Sequence, residues 1–242
     1  MNIFENEKAR RDVLDKLSRR GAPHPRDEWH VSKLVCCPRS SYFWKIGAEW
    51  EPPYPDALTL TFARGRAHHS VLEVYRIREK VVKRSDIIGH IDTIGDRITE
   101  IFTTMLSLGQ IDSIEKVAEI FSIKVSQLMC YLYMSEGIVT EGDLMVFFLM
   151  GDYSRPIRPE LKVYTLSFEE EELEDHWKFI LKKRDVINYL ETIGVAPDLM
   201  GESYECINCG YISFCKDWLK AKGALEVIEE MLKKDANNFI LQ

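Results

Sequence analysis

The cysteines of this chain are divided between its two ends, and that division constrains the fold more than any other feature. Cys37 lies near the N-terminus in VSKLVCCPRSSYFW. Cys206, Cys209 and Cys215 lie near the C-terminus in CINCGYISFC, spaced C-x2-C-x5-C. Three thiols this close along a chain can ligate one metal centre, and a fourth completes the shell only if the ends meet in space. The set suits zinc or an iron–sulfur cluster. Zinc sites more often pair two C-x2-C knuckles; one knuckle with two outliers leans towards a [4Fe–4S] cluster. Cys36 adjoins Cys37 and is a rival ligand. Cys130 falls on an apolar helix face and reads as core.

The 242 residues, 45% of them hydrophobic, suffice for one large α/β domain or two small ones. No run of eighteen apolar residues occurs, so no membrane span is expected. The charged start MNIFENEKARRDVLDKL lacks the apolar stretch of a signal peptide. A cytoplasmic protein is the expectation, with thiols kept reduced and available to metal. A net charge of -7 excludes a chain coated in positive charge, but not a local basic groove. The acidic run SFEEEELED at 167–175 reads as the solvated first turn of a helix, where the dipole favours carboxylates.

Periodicity predicts a helix over 5–20, a second from about 31 to 46, a proline-rich loop at 49–57 and a third helix over 64–80. Strands are expected at 85–95 and 97–104, joined as a hairpin through Gly95-Asp96. Helical spacing returns over 113–135 with a break near Ser122. Residues 144–150 and 161–168 read as further strands, followed by a helix over 169–192 and a closing helix near 216–234. That order predicts an α/β core with a mixed central sheet, flanked by a helical lobe made from both chain ends. The chain is read as a single domain over 1–242. The lobe spans about 1–60 and 195–242, and the core about 61–194.

Oxygen chemistry is concentrated on the hairpin. Asp92 in GHIDTIG and Glu100 in RITEIF are expected to project to one face and share a divalent cation, magnesium or manganese. His69 on the preceding helix adds a candidate nitrogen ligand. Taken singly, an Asp before a turn is explained by the turn. Gln127 and Tyr131 are four apart and share a helix face, placing an amide and a hydroxyl where a nucleic-acid strand can meet them. Ordinary helix packing is the alternative for this pair.

Read together, these segments resemble the RecB-like branch of the PD-(D/E)XK nucleases, and within it the iron–sulfur CRISPR-associated exonuclease family (the fourth Cas protein). The AddB nuclease domain is a more distant likeness. The likeness runs from about residue 31 to 218. Ser32-x4-Cys37-Pro38-Arg39 resembles the N-terminal cluster motif, Gly65-x3-His69 the histidine motif with His68 as rival, and Gly89-x2-Asp92 the aspartate motif. Gln127-x3-Tyr131 resembles the helix motif, and C-x2-C-x5-C closes the cluster set. The resemblance implies a nuclease acting on DNA, on single-stranded ends above all. It implies His69, Asp92 and Glu100 as metal-binding and catalytic residues, with Gln127 and Tyr131 at the DNA. Cys37, Cys206, Cys209 and Cys215 would hold a [4Fe–4S] cluster. A role in CRISPR spacer acquisition, with the CRISPR integrase complex as partner, comes with it.

One position departs from the pattern. The family reads E-x-K, and this chain reads Glu100-Ile101-Phe102. A phenyl ring cannot offset phosphate charge, and loss of a positioned charge costs about 2–4 kcal/mol of transition-state stabilisation. Lys124 and Lys162 are the substitutes expected from their places on the motif helix and a late strand. Arg64, Arg66, Arg155 and Arg158 flank the same elements and are candidates for phosphate contacts. Tyr42, Phe43 and Trp44 either stack on bases or pack the cluster lobe. Two alternatives stay open: a DNA-binding or adaptor subunit that has lost efficient cleavage, favoured by Phe102, and a zinc-stabilised helical binding module.

Overall fold

The structure is a computed structural model, and it describes residues 7–18, 26–51, 55–73, 77–94, 97–111, 113–135, 137, 139–152, 158–198, 205–206 and 209–221. Helices α1 (Glu7–Ser18), α2 (Val31–Leu34), α3 (Pro38–Lys45) and α4 (Pro55–Glu73) come early in the chain. Strands β1 (Trp29–His30), β2 (Ile77–Arg84), β3 (Ile87–Ile94), β4 (Arg97–Thr104), β5 (Glu141–Phe148) and β6 (Glu160–Ser167) form one six-stranded sheet. Helices α5 (Ile114–Ile120) and α6 (Ser122–Met134) cross from β4 to β5, and α7 (Glu170–Ile193) and α8 (Ile212–Ala221) follow β6. Sheet and helices are mixed in the expected α/β sense: β4 and β5 run parallel, while β2–β3, β3–β4 and β5–β6 are antiparallel.

The sequence reading places most elements, misses β1, and misplaces others; its closing helix near 216–234 begins earlier, as α8 at Ile212, and residues 222–234 lie outside the described residues. Helix α4 starts at Pro55, a residue suited to a first turn, and stops at Glu73. Residues Ile77–Arg84 leave the expected helix and pair along their whole length with β3. Eight paired rungs outweigh the weak helical preference of IREKVVKR. The turn between β2 and β3 falls at Ser85, whose φ of 58° is left-handed. The expected helix over 31–46 splits into α2 and α3 because Pro38 disfavours helical geometry in the residue before it. The break near Ser122 is real: the Ser113 hydroxyl caps α5, and Phe121 separates it from α6. The acidic run also falls as expected, with Glu169 and Glu172 forming a capping box at the start of α7.

Helix α6 lies against the sheet and fixes the core. Leu128, Cys130 and Leu132 are fully buried on it, in one cluster with Leu144, Val146 and Phe148 of β5. Each large side chain so buried contributes about 1.5–3 kcal/mol. Gly142 permits the close approach, since a Cβ there would lie 2.9 Å from Leu128 Cδ1. Helix α7 packs outside α6 through Leu173, Trp177, Ile180 and Ile187, and Trp177 stacks on Tyr133 at 5.5 Å.

A titrating contact closes the α6–α7 seam. His176 Nε2 lies 3.0 Å from Ser126 Oγ and 3.2 Å from Ser126 O. Burial lowers the His176 pKa, the Ser126 carbonyl opposes that shift, and Lys183 adds to it. The folded state therefore holds this imidazole neutral where the unfolded chain, titrating near 6.5, takes up a proton. Stability from this group is complete above about pH 6.5 and falls as pH drops, by at most about 1.4 kcal/mol per unit. Urea unfolding of wild-type and His176→Gln proteins at pH 7.5 and 5.5 checks this. The wild-type midpoint is expected to fall more, and equal falls would overturn the assignment.

Candidate functional site

Strand β3 has two edges, and the polar site forms where one of them is shared. β2 pairs with all eight residues of β3 on one edge. The other edge takes β1 at Ile87 and Ile88, and β4 only at Asp92, Thr93 and Ile94. From Thr99 onward β4 runs with β5 instead. The two strands part just beyond the Asp92–Thr99 rung, and Glu100 is the first β4 residue past it.

This register corrects one expectation. Asp92 stands opposite Thr99, not Glu100. Side chains alternate across a pleat, so at the ladder Asp92 and Glu100 start from opposite faces. The hairpin sets this: Ile94 pairs with Arg97, which fixes every rung below it. Both carboxylates nevertheless act on one group. The Tyr131 phenol is pushed far up by burial first, by Glu100 next, and further by Asp92, while Gln127 opposes the shift.

Glu100 is 4% exposed, and its environment is built by α6. Lys124 Nζ donates to Glu100 Oε1 at 2.7 Å and to Gln127 Oε1 at 3.4 Å. Gln127 Nε2 donates to the Tyr131 hydroxyl at 2.6 Å. The residues at positions 124, 127 and 131 share one helix face, and the chain Glu100–Lys124–Gln127–Tyr131 runs along it. Gly89 is needed beneath it, because a Cβ there would meet Tyr131 Cε1 at 3.0 Å. Phe102, two residues on from Glu100, packs edge-on to Phe121 at 4.9 Å, with the Lys124 ammonium 5.6 Å from its ring centre. Of the two substitutes expected from sequence, Lys124 reaches the site. Lys162 lies on β6, two strands away, and pairs with Glu160 at 3.0 Å.

His69 belongs to α4, and its side chain lies outside the described residues, as do those of His68 and Arg66. One further polar group was not legible in sequence. Thr99 is fully buried on the rung facing Asp92, and its Oγ1 has no hydrogen-bond partner among the described residues. Buried hydroxyls are normally satisfied, so Thr99 is an exception among the described residues. Carboxylates such as Asp92 and Glu100 suit magnesium or manganese, and sharing one ion requires the divergence of β3 and β4 past the Asp92–Thr99 rung to bring the two to a common side. Among the described residues no group of three or more His, Cys, Asp or Glu stands together as a metal site.

The two ends of the chain do meet. Cys37 N donates to Glu205 Oε1 at 2.8 Å, and Glu51 N donates to Gly210 O at 2.8 Å. Phe43 of α3 packs on Tyr211 and Phe214 at 5.9 and 5.4 Å. The four thiols are electrostatically coupled. Burial pushes Cys206 up to about 12, with Cys37, Cys209 and Cys215 adding to the shift, and pushes Cys215 up to about 11, with Cys209 and Cys37 adding. Cys130 is buried in the core, as expected, and burial pushes it up to about 12. Cys36 donates instead to the Ser32 carbonyl at 3.0 Å.

Arg39 sits at the centre of this junction and carries no role in the sequence reading beyond its place in the C-P-R motif. It is 2% exposed. Nε donates to Pro197 O at 2.8 Å, Nη2 donates to Asp198 O at 3.1 Å, and the guanidinium lies 4.0 Å over the Trp218 ring. It also lowers the Cys215 pKa against burial. Nη1 is buried without a hydrogen-bond partner among the described residues. Arg39 thus places a buried positive charge beside the Cys215 thiol, to which it also hydrogen-bonds.

The remaining candidates divide. Tyr42 and Phe43 are buried and Trp44 packs on Trp29 at 5.5 Å, so these rings build the lobe. Arg64 is exposed and reaches Met105 Sδ at 3.4 Å near the end of β4, Arg158 is exposed, and Arg155 lies outside the described residues. No described helix is long and apolar enough to cross a membrane.

No family model matches the chain, and no curated protein matches it. Among solved structures, the crystal structure of SSO0001 is similar over 86% of this chain and 95% of its own length, at 16% identity and a TM-score of 0.44. An alkaline exonuclease, LHK-Exo from Laribacter hongkongensis, is similar over 69% of this chain and 93% of its own, at 11% identity and a TM-score of 0.37.

Proposed function

We propose that this chain is a metal-dependent DNA nuclease that hydrolyses phosphodiesters of single-stranded DNA, with a [4Fe–4S] cluster in the lobe formed by its two ends. The observation that carries the reading is Glu100: a buried carboxylate at the parting of β3 and β4, held by Lys124 and joined through Gln127 to Tyr131. Burying such a network costs desolvation energy that a hydrophobic set would avoid, so it is weak evidence of stability and better evidence of chemistry.

Asp92, Glu100 and His69 would hold a magnesium or manganese ion, which supplies Lewis acidity towards phosphate oxygens when bound. In the reaction a water oxygen bonds to phosphorus with its electron pair. The bond from phosphorus to the leaving sugar oxygen breaks, and its pair stays on that oxygen, which takes up a proton. The attacking water gives up a proton to solvent. Tyr131 is buried and its hydroxyl accepts from Gln127, so it orients that amide rather than acting as a base. Cys37, Cys206, Cys209 and Cys215 would hold the cluster, whose part is to brace the two ends. The place in CRISPR spacer acquisition, the integrase complex as partner and the cytoplasmic setting rest on the motif resemblance alone.

Cleavage of end-labelled single-stranded DNA with magnesium or manganese tests the reading. Asp92→Ala and Glu100→Ala proteins are each expected to lose at least about 100-fold in rate. Wild-type protein that leaves the DNA intact with either ion overturns it. The adaptor reading is favoured by one observation, the packing of Phe102 against Phe121 where a strand cation would stand, and DNA binding without cleavage would establish it.

A further inference from the structure

We propose that Lys124 is the cation that meets phosphate charge in this site, delivered from helix α6 rather than from strand β4. The proposal rests on the nuclease reading above and assigns a role that Phe102 leaves open. Lys124 is fixed in place by three surroundings: Glu100 Oε1 at 2.7 Å, Gln127 Oε1 at 3.4 Å and the Phe102 ring at 5.6 Å. An ammonium carries three N–H donors. Two are directed at Glu100 and Gln127, and the third meets no acceptor among the described residues. The lysine side chain is 33% exposed while that of Glu100 is 5% exposed, so the ammonium is the solvent-facing end of the pair. An anion arriving from solvent therefore meets Lys124 before it meets Glu100.

The Phe102 ring has two effects here. It packs edge-on against Phe121, and it lends the ammonium an aromatic face. Phe102 and Glu100 project from the same side of β4, towards α6. A cation at position 102 and one at position 124 would thus compete for the same carboxylate, and this chain supplies the second. Lysine acts at phosphate as a point charge, so the stem can enter from helix or strand provided the ammonium arrives. Gln127 keeps it from swinging into solvent, and Tyr131 keeps Gln127 in the orientation that presents its oxygen to the lysine.

The test compares single-turnover cleavage of end-labelled single-stranded DNA, with manganese, by wild-type, Lys124→Ala, Lys124→Arg and Lys162→Ala proteins. Melting curves and DNA affinity in EDTA are measured on the same samples. Lys124→Ala is expected to lose about 100- to 1,000-fold in rate at saturating DNA. Its affinity for DNA should change little, and Lys124→Arg should recover part of the rate. Lys162→Ala should match wild type. A second variant, Phe102→Lys in the Lys124→Ala background, returns an ammonium to the same carboxylate from the strand and is expected to restore cleavage, which a merely structural lysine would not allow. Wild-type cleavage that depends on Asp92 but is untouched by Lys124→Ala overturns the proposal and leaves the nuclease reading standing. Wild-type protein without cleavage overturns both.

Discussion

An Arg39→Ala protein is expected to be about 3–5 kcal/mol less stable than wild type, because the buried Pro197 carbonyl loses its donor and a void opens beside Trp218. The competing effects can be ranked. Removing a buried guanidinium relieves its desolvation, which favours the variant. Against that, the buried Pro197 O loses its donor at about 1–3 kcal/mol, and Asp198 O loses one part-buried bond. The cation–π contact at 4.0 Å from Trp218 is lost as well. The contacts join α3, the 196–198 segment and α8, so their loss loosens three pieces of the fold at once. Arg39→Met keeps the apolar stem and separates packing from hydrogen bonding; it is expected to cost about 2 kcal/mol. Urea midpoints multiplied by the m-value give both numbers. An alanine variant within about 0.5 kcal/mol of wild type would show that Arg39 is a spectator.

Arg39 also marks the limit of what the sequence discloses. The cysteine spacing implies that the ends meet, and they do, at Cys37–Glu205 and Glu51–Gly210. It does not disclose how, because the atoms that make the junction are backbone carbonyls of the 197–198 segment and a guanidinium from a motif read only for its cysteine. The hairpin was legible from its turn signal, since Gly95-Asp96 separates two strand-like runs. The rung was not. Whether Asp92 faces Thr99 or Glu100 depends on one residue of register, and a single slip moves a side chain to the other face. The first half of β2, residues 77–80, was read as the tail of a helix because a stretch of mixed polarity carries little period of its own; the pairing with β3 decides its state. Lys124 was legible only as one of two lysines near the site. The helix face shared by 124, 127 and 131 distinguishes it, and that face becomes visible once α6 is known to lie on the sheet.

Replacing Cys209 by serine is expected to strip the protein of iron and to loosen the junction between its ends. The argument is one of coupled equilibria. A metal centre formed only in the folded state contributes its binding energy to folding, about 10–16 kcal/mol for structural sites of four ligands, so one lost ligand costs on the order of 3 kcal/mol. The thiols also resist ionising without metal, since burial and mutual repulsion raise Cys206, Cys209 and Cys215 together. A bound iron core would reverse that penalty, and Arg39, beside Cys215, would share in offsetting its charge. Protein purified without oxygen is expected to carry about four iron and four sulfide per chain, with the broad visible absorption of such clusters. Cys209→Ser and Cys37→Ser should both lose most of it, although the two cysteines come from opposite ends of the chain. Cys36→Ser and Cys130→Ser should keep it. Stoichiometric zinc with no iron would replace the cluster by a structural zinc site and move the chain to the class of zinc-stabilised modules. Iron retained in Cys37→Ser but lost in Cys36→Ser would shift the N-terminal ligand by one residue, to the thiol that otherwise donates to the Ser32 carbonyl.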